Sequence, residues 1–180
     1  VAPVDQAAPV AGHTYVIGVD WGKLSDFTVL SVLDTNERTL VYVDRFNQID
    51  YTVQMGRLRA LCERFGPVAV VVERNSIGEP LIEVLARMGL PIVAFQTTNA
   101  SKTAIIDALG LAFERGDIQI PDDPVLINEL QAYAMERLPS GLLRYSAPEG
   151  LHDDCVMSLA LAWSELITPE PAGLMVYDDA

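Results

Sequence analysis

The chain is short of positive charge: 12 Lys and Arg stand against 25 Asp and Glu, giving a formal net charge of -13 over 180 residues. Affinity for a polyphosphate comes mainly from clustered Lys and Arg, so this composition predicts weak binding of nucleic acid by the chain alone. Cysteine is nearly absent. Cys62 and Cys155 lie far apart, in segments with helical spacing, which argues against a disulfide framework or a zinc cluster and fits a reducing cytoplasm. No apolar run reaches the ~18 residues that cross a bilayer, and no basic segment precedes a hydrophobic one, so neither a membrane span nor an export signal is read. The P-loop pattern G-x-x-x-x-G-K-[ST] is missing too, because Gly22-Lys23 runs on into Leu24 without the upstream glycine.

What is present is apolar residues, 50% of the chain, enough for one domain with a proper core. Residues 1–13, opening VAPVDQAAPVAG, are small, Pro-containing and without periodicity, and read as a linker within a longer protein. Residues 169–180, with prolines and no helical stripe, read as a tail, leaving 14–168 as the folded unit.

Within that unit, YVIGVD at 15–20, FTVLSVL at 27–33 and TLVYVDRF at 39–46 are short β-rich runs. A turn-like cluster at 34–38 joins the second and third into an antiparallel hairpin. Met55, Leu58, Leu61, Cys62 and Phe65 recur at helical spacing until Gly66-Pro67 stops the helix, and PVAVVVE at 67–73 follows as a buried strand. Ser76 and Glu79 have capping-box spacing ahead of a helix through Leu81, Ile82, Leu85 and Met88 that Gly89 closes, and PIVAF at 91–95 is the next strand. A longer helix is predicted over 100–115 and stops at Gly116. After it come a short strand at 117–120, a helix over 124–137, a strand at 142–146 and a last helix over 153–167. This order predicts an α/β fold: a mixed sheet whose first three strands are antiparallel and whose later strands are parallel, with helices on both faces.

Two of the buried runs end in a carboxylate, Val19-Asp20 and Val72-Glu73. If those strands are parallel neighbours, ~4.8 Å apart, both acids emerge at one sheet edge. Asp153 and Asp154 open the last helix, where the dipole tolerates acids, and can face the same edge. Such a cluster repels itself unless a cation answers it. Hard oxygen ligands favour Mg²⁺ or Mn²⁺, and two such ions ~3.5–4 Å apart suit phosphodiester hydrolysis. Taken singly, each acid has a plainer role: an Asp at a strand end is usually a turn residue, and an Asp at a helix start is usually a cap. Asp26 reads as a turn acid or a supporting metal ligand, and His152 as a turn residue or a group that polarises a phosphate or a metal-bound water. Lys102 and Arg74 are candidates for phosphate contacts or are simply solvated, while Met157 and Trp163 read as core.

In order along the chain, Gly18-Val19-Asp20-Trp21-Gly22 with Asp26, Glu73-Arg74-Asn75 with Gly78, Lys102, Gly116 to Pro121 with Glu129-Leu130, and His152-Asp153-Asp154 running into Val156 to Ala160 form a set. With this set the chain resembles, over about 14–167, the nuclease domain of large terminase subunits of tailed bacteriophages, those of thermophilic phages in particular. The resemblance implies a ribonuclease H/resolvase-like fold and two-metal cleavage of double-stranded DNA. Asp20 would bridge both ions, Glu73 would hold one and orient the water, and Asp154, with Asp153 in support, would hold the other. It also implies partners: the packaging ATPase of the same full-length chain, whose P-loop is absent here, the small terminase subunit and the portal protein. Concatemeric viral DNA would be cut in the host cytoplasm, at the procapsid portal, by a domain that is monomeric when isolated and has no membrane partner. Rival readings are a Holliday-junction resolvase or transposase-type nuclease of the same fold, a sugar- or acetate-kinase-like ATPase half, for which a second phosphate loop is missing, and a catalytically silent binding domain.

Overall fold

The computed structural model describes residues 8–22, 26–74, 79–137, 143–146 and 152–167. The predicted cap Ser76, together with Asn75, Gly78, Leu142, residues 1–7 of the linker and the tail at 169–180, lies outside the described residues.

The elements are β1 Tyr15–Asp20, β2 Thr28–Asp34, β3 Thr39–Phe46, α1 Tyr51–Phe65, β4 Ala69–Glu73, α2 Glu79–Arg87, β5 Ile92–Phe95, α3 Asn99–Arg115, α4 Pro124–Ala132, β6 Ala134–Arg137, β7 Leu143–Ser146 and α5 Asp154–Ile167. A five-stranded sheet runs in the order β3-β2-β1-β4-β5, and β6 and β7 form a separate pair. β2 is antiparallel to both of its neighbours, β1 and β3, whereas β4 is parallel to β1 and β5 to β4.

Side-chain alternation along the strands sorts the core into two layers. Val16, Val29, Leu33, Ala69 and Val71 pack on α3, α4 and α5 through Ile105, Leu109, Leu126 and the length of α5. Ile17, Val19, Leu30, Val32, Val70 and Val72 face the other way, onto Leu58, Leu61 and Phe65 of α1 and Leu85 of α2. A fully buried aliphatic side chain of this kind contributes roughly 1.5–3 kcal/mol, so both layers are needed to hold the sheet.

The helices begin and end where their chemistry allows. The Asp50 carboxylate accepts from Thr52 N at the start of α1, and Gly66, at φ +56°, closes it by donating to the Cys62 carbonyl. Thr98 and Ser101 form a reciprocal capping box on α3. Among the described residues no helix is long and apolar enough to cross a membrane.

Two predicted elements are corrected. The helix expected over 124–137 stops at Ala132, because Tyr133 turns extended and 134–137 pair antiparallel with 143–146. Ala134, Met135 and Glu136 are good helix formers, but the cross-strand ladder overrides that propensity. The strand expected at 117–120 is reduced to a single parallel bridge between Thr39 and Gln119. Leu40 N donates to the Gln119 carbonyl at 2.9 Å and Gln119 N to the Arg38 carbonyl at 3.0 Å. The chain then turns away, as the Asp123 carboxylate caps α4 through Val125 N and Leu126 N.

Candidate metal centre

Parallel pairing sets Val19 of β1 opposite Val72 of β4, so the next residue on each strand, Asp20 and Glu73, leaves the sheet at the same edge. Strand parity decides which face each acid takes. Val19 and Val72 are turned toward α1, hence Asp20 and Glu73 are turned toward α5. Gly18 shares that face and lets the helix touch the strand. A Cβ there would lie 2.0 Å from the Ser158 carbonyl oxygen and 2.6 Å from Ala162 N. Ser158 Oγ donates to the Gly18 carbonyl at 2.9 Å, and one turn earlier on the same helix stands Asp154.

The electrostatics report the convergence. Burial first, then the charges of Glu73, Asp154 and Asp153, push the Asp20 carboxyl well above the usual carboxylate range, with Lys102 opposing. Burial and then Glu129 push Asp154 up to about 6, His152 and Arg45 acting the other way. Asp154 is only 9% exposed, and its Oδ2 is buried without a hydrogen-bond partner. His152 Nδ1 stands 3.5 Å from that oxygen. Asp153 is placed differently: its carbonyl accepts from Met157 N at 2.9 Å, making it the cap position, and its carboxylate accepts from Lys102 Nζ at 3.1 Å.

The structure therefore brings together Asp20, Glu73, Asp153, Asp154, Lys102 and His152. Asp26 is not drawn in: it is exposed and is not among the charges acting on Asp20, while its carbonyl packs under Gly22. Arg74 follows Glu73 and is exposed. Among the described residues no three His, Cys, Asp or Glu side chains close into a ready-made metal cage. The donor set nevertheless fits a hard divalent cation, being all carboxylate, mutually repelling and in part buried with an oxygen left unpaired. Cys155, the nearest sulfur in sequence, is buried and its thiol is raised far from ionisation by that burial and by Glu129.

Sequence reasoning assigned no role here to Glu129, Arg45 or Phe27. The Glu129 carboxylate accepts from Cys155 N at 2.7 Å, and Arg45 lies 3.7 Å from its other oxygen and stacks on the Phe27 ring, 3.3 Å from the centroid. One signal was legible: Glu129 sits three residues after buried Leu126 in α4, an acid on the apolar stripe of a helix.

A mixed five-stranded sheet with helices on both faces, and acids at the adjoining ends of β1 and β4 and at the start of the last helix, defines a ribonuclease H-like fold. The profile of the terminase RNaseH-like domain family matches residues 17–166, and the chain belongs to that family. It is 36% identical over 154 residues to the large terminase subunit of Thermus virus P23-45 and 35% identical over 154 residues to that of Thermus phage G20c. Each match covers 85% of this chain but 32% of the relative, so the chain spans about a third of the length of these relatives. The crystal structure of the large terminase nuclease from phage G20c with bound magnesium superposes with a TM-score of 0.84 at 31% identity, covering 92% of both chains. The large terminase nuclease domain of Thermus phage P74-26 superposes at 0.83 and 31% identity, covering 92% of this chain and 90% of that one.

Proposed function

We propose that this chain is a divalent-metal-dependent endonuclease that hydrolyses phosphodiester bonds of double-stranded DNA, acting on concatemeric viral DNA during genome packaging. The observation that carries the proposal is the convergence of Asp20, Glu73, Asp153 and Asp154 on one sheet edge, where their charges oppose the ionisation of Asp20. The large terminase nuclease of phage G20c, crystallised with magnesium, with cobalt and with zinc, adds support for the use of a divalent ion.

On this reading Asp20, Glu73 and Asp154, with Asp153 in support, would hold two Mg²⁺ or Mn²⁺ ions, and Glu73 would also orient the attacking water. When bound, the ions supply Lewis acidity and lower the pKa of a water. To Lys102, which bonds the Asp153 carboxylate, and His152, perpendicular to the Phe27 ring and next to Asp154, we assign contact with the phosphate. In the full-length protein the packaging ATPase, the small subunit and the portal would bring DNA to this acidic domain at the procapsid, in the host cytoplasm.

The test is nicking of supercoiled plasmid by the 180-residue chain with Mn²⁺, Mg²⁺ or EDTA, set beside Asp20→Asn and Glu73→Gln. Metal-dependent nicking that falls about 10²-fold or more in both variants is the expected outcome. Equal cleavage by all three proteins, or none by the parent under any ion, would overturn the assignment.

A further inference from the structure

We propose that Glu129 of α4 is a positioning residue for the acid pair that opens α5: it takes over the capping of that helix and so leaves both Asp153 and Asp154 to the metal centre. The inference rests on the metal-site reading above. Its starting point is a shortage of partners. The first turn of any helix leaves backbone N–H groups unsatisfied, and the side chain at the cap position ordinarily accepts from them. Here the cap residue is Asp153, whose carbonyl receives Met157 N, and a carboxylate turned back onto Cys155 N or Val156 N would be lost to a metal. It is not turned back. Cys155 N donates instead to Glu129 Oε2 at 2.7 Å, from a helix 26 residues earlier in the chain, and the Asp153 carboxylate reaches outward to Lys102 Nζ.

The acceptor of this cap is itself held. Glu129 is only 7% exposed, so its charge needs a partner, and Arg45 of β3 supplies one at 3.7 Å from Oε1. The Arg45 guanidinium carbon lies over the Phe27 ring, 3.3 Å from its centroid, and that ring packs nearly perpendicular to His152 with 5.3 Å between centroids. Segments around residues 27, 45, 129 and 152–155 thus brace one helical turn, the turn that carries both acids. Groups that orient metal ligands in this way typically change metal affinity or activity by ~10–100-fold when removed.

The experiment compares the parent, Asp20→Asn, Glu129→Gln and Glu129→Leu. Free Mn²⁺ is titrated by electron paramagnetic resonance, well below each melting temperature, and near-UV circular dichroism confirms folding. Leucine removes both acceptor and charge and is expected to weaken Mn²⁺ binding by roughly 10-fold or more. Glutamine keeps an oxygen for Cys155 N but loses the charge, and should fall between leucine and the parent. Metal-dependent nicking should follow the same order. A merely structural role would lower the melting temperature and leave the Mn²⁺ dissociation constant alone. Variants that fold and bind Mn²⁺ within twofold of the parent would overturn the proposal, and if the leucine variant does not fold, the glutamine variant decides by the same threshold. A parent that binds no Mn²⁺ overturns the metal reading and this proposal with it, whereas loss of binding in Asp20→Asn alone leaves the metal reading standing and sinks only the role of Glu129.

Discussion

Replacing Gly18 by alanine probes the contact on which the site depends. The added Cβ would lie 2.0 Å from the Ser158 carbonyl oxygen and 2.6 Å from Ala162 N, and ordinary contact begins at 3.4 Å. Helix and strand must therefore part by about 1.4 Å, since both obstacles are main-chain atoms that no rotamer change can move. α5 is buried continuously from Asp154 to Ser164, so a shift of that size disturbs packing along its length. Overpacking of this kind costs about 1–3 kcal/mol, and the rigidity of both partners argues for the upper end. For a domain of this size that corresponds to a fall in melting temperature of roughly 6–12 °C. The functional effect should exceed the loss of stability. Moving α5 off β1 moves Asp154 relative to Asp20, and a displacement of ~1 Å at a reacting centre can cost on the order of 10²-fold in rate. Urea unfolding gives the stability change, and Mn²⁺-dependent nicking at a temperature where the variant is fully folded gives the rest. Parent-like stability, within about 0.5 kcal/mol, together with undiminished nicking would refute the argument that direct contact between Gly18 and α5 sets the site.

Gly56 and Gly110 offer the opposite outcome, because both lie inside helices with nothing within 4 Å of an added Cβ. Alanine at either should raise the urea midpoint by the equivalent of about 0.5–1 kcal/mol, and a loss would contradict the open space described there. The raised carboxyls predict a pH dependence. Asp154 titrates near 6 in the folded chain but in the ordinary Asp range, ~3.9, when unfolded, so the folded state binds the extra proton between those values. Its contribution to metal-free stability therefore falls as pH rises from about 4 to 6 and levels off above. In EDTA, Asp154→Asn should gain stability over the parent between pH 4.5 and pH 7, and a pH-independent difference between the two proteins would contradict this. Mn²⁺ must displace the same proton, so its affinity should weaken as pH drops below about 6, read from the Mn²⁺-induced rise in melting temperature.

Much of this was legible along the chain because it is local chemistry. The apolar run at 15–20, the β-branched and aromatic run at 39–46, the buried run at 69–73 and the stops at Gly66 and Gly116 each act within a few positions, and they produced the right elements in the right order. The segment at 134–137 was misread because its residues prefer a helix, and only pairing with 143–146, across residues of no strong pattern, makes it a strand. Asp26 shares its residue type with Asp20 and lies close to it in sequence. Its exposed position at a bend, which periodicity does not report, keeps it apart.

The sequence by itself determined that four carboxylates would end or begin buried elements, where an acid is most easily tolerated, and it determined the helix-and-strand order that can carry them to one edge. Tertiary structure alone decided what those acids became. Register between β1 and β4 turned Asp20 and Glu73 to the same face, contact at Gly18 set the depth of α5, and a cap delivered from Glu129 left Asp153 to Lys102 and Asp154 buried with an unpaired oxygen. These are relations between residues as far apart as 18 and 158, or 45 and 129, fixed by packing and by the cost of burying an unanswered charge, and no window of neighbouring residues contains them.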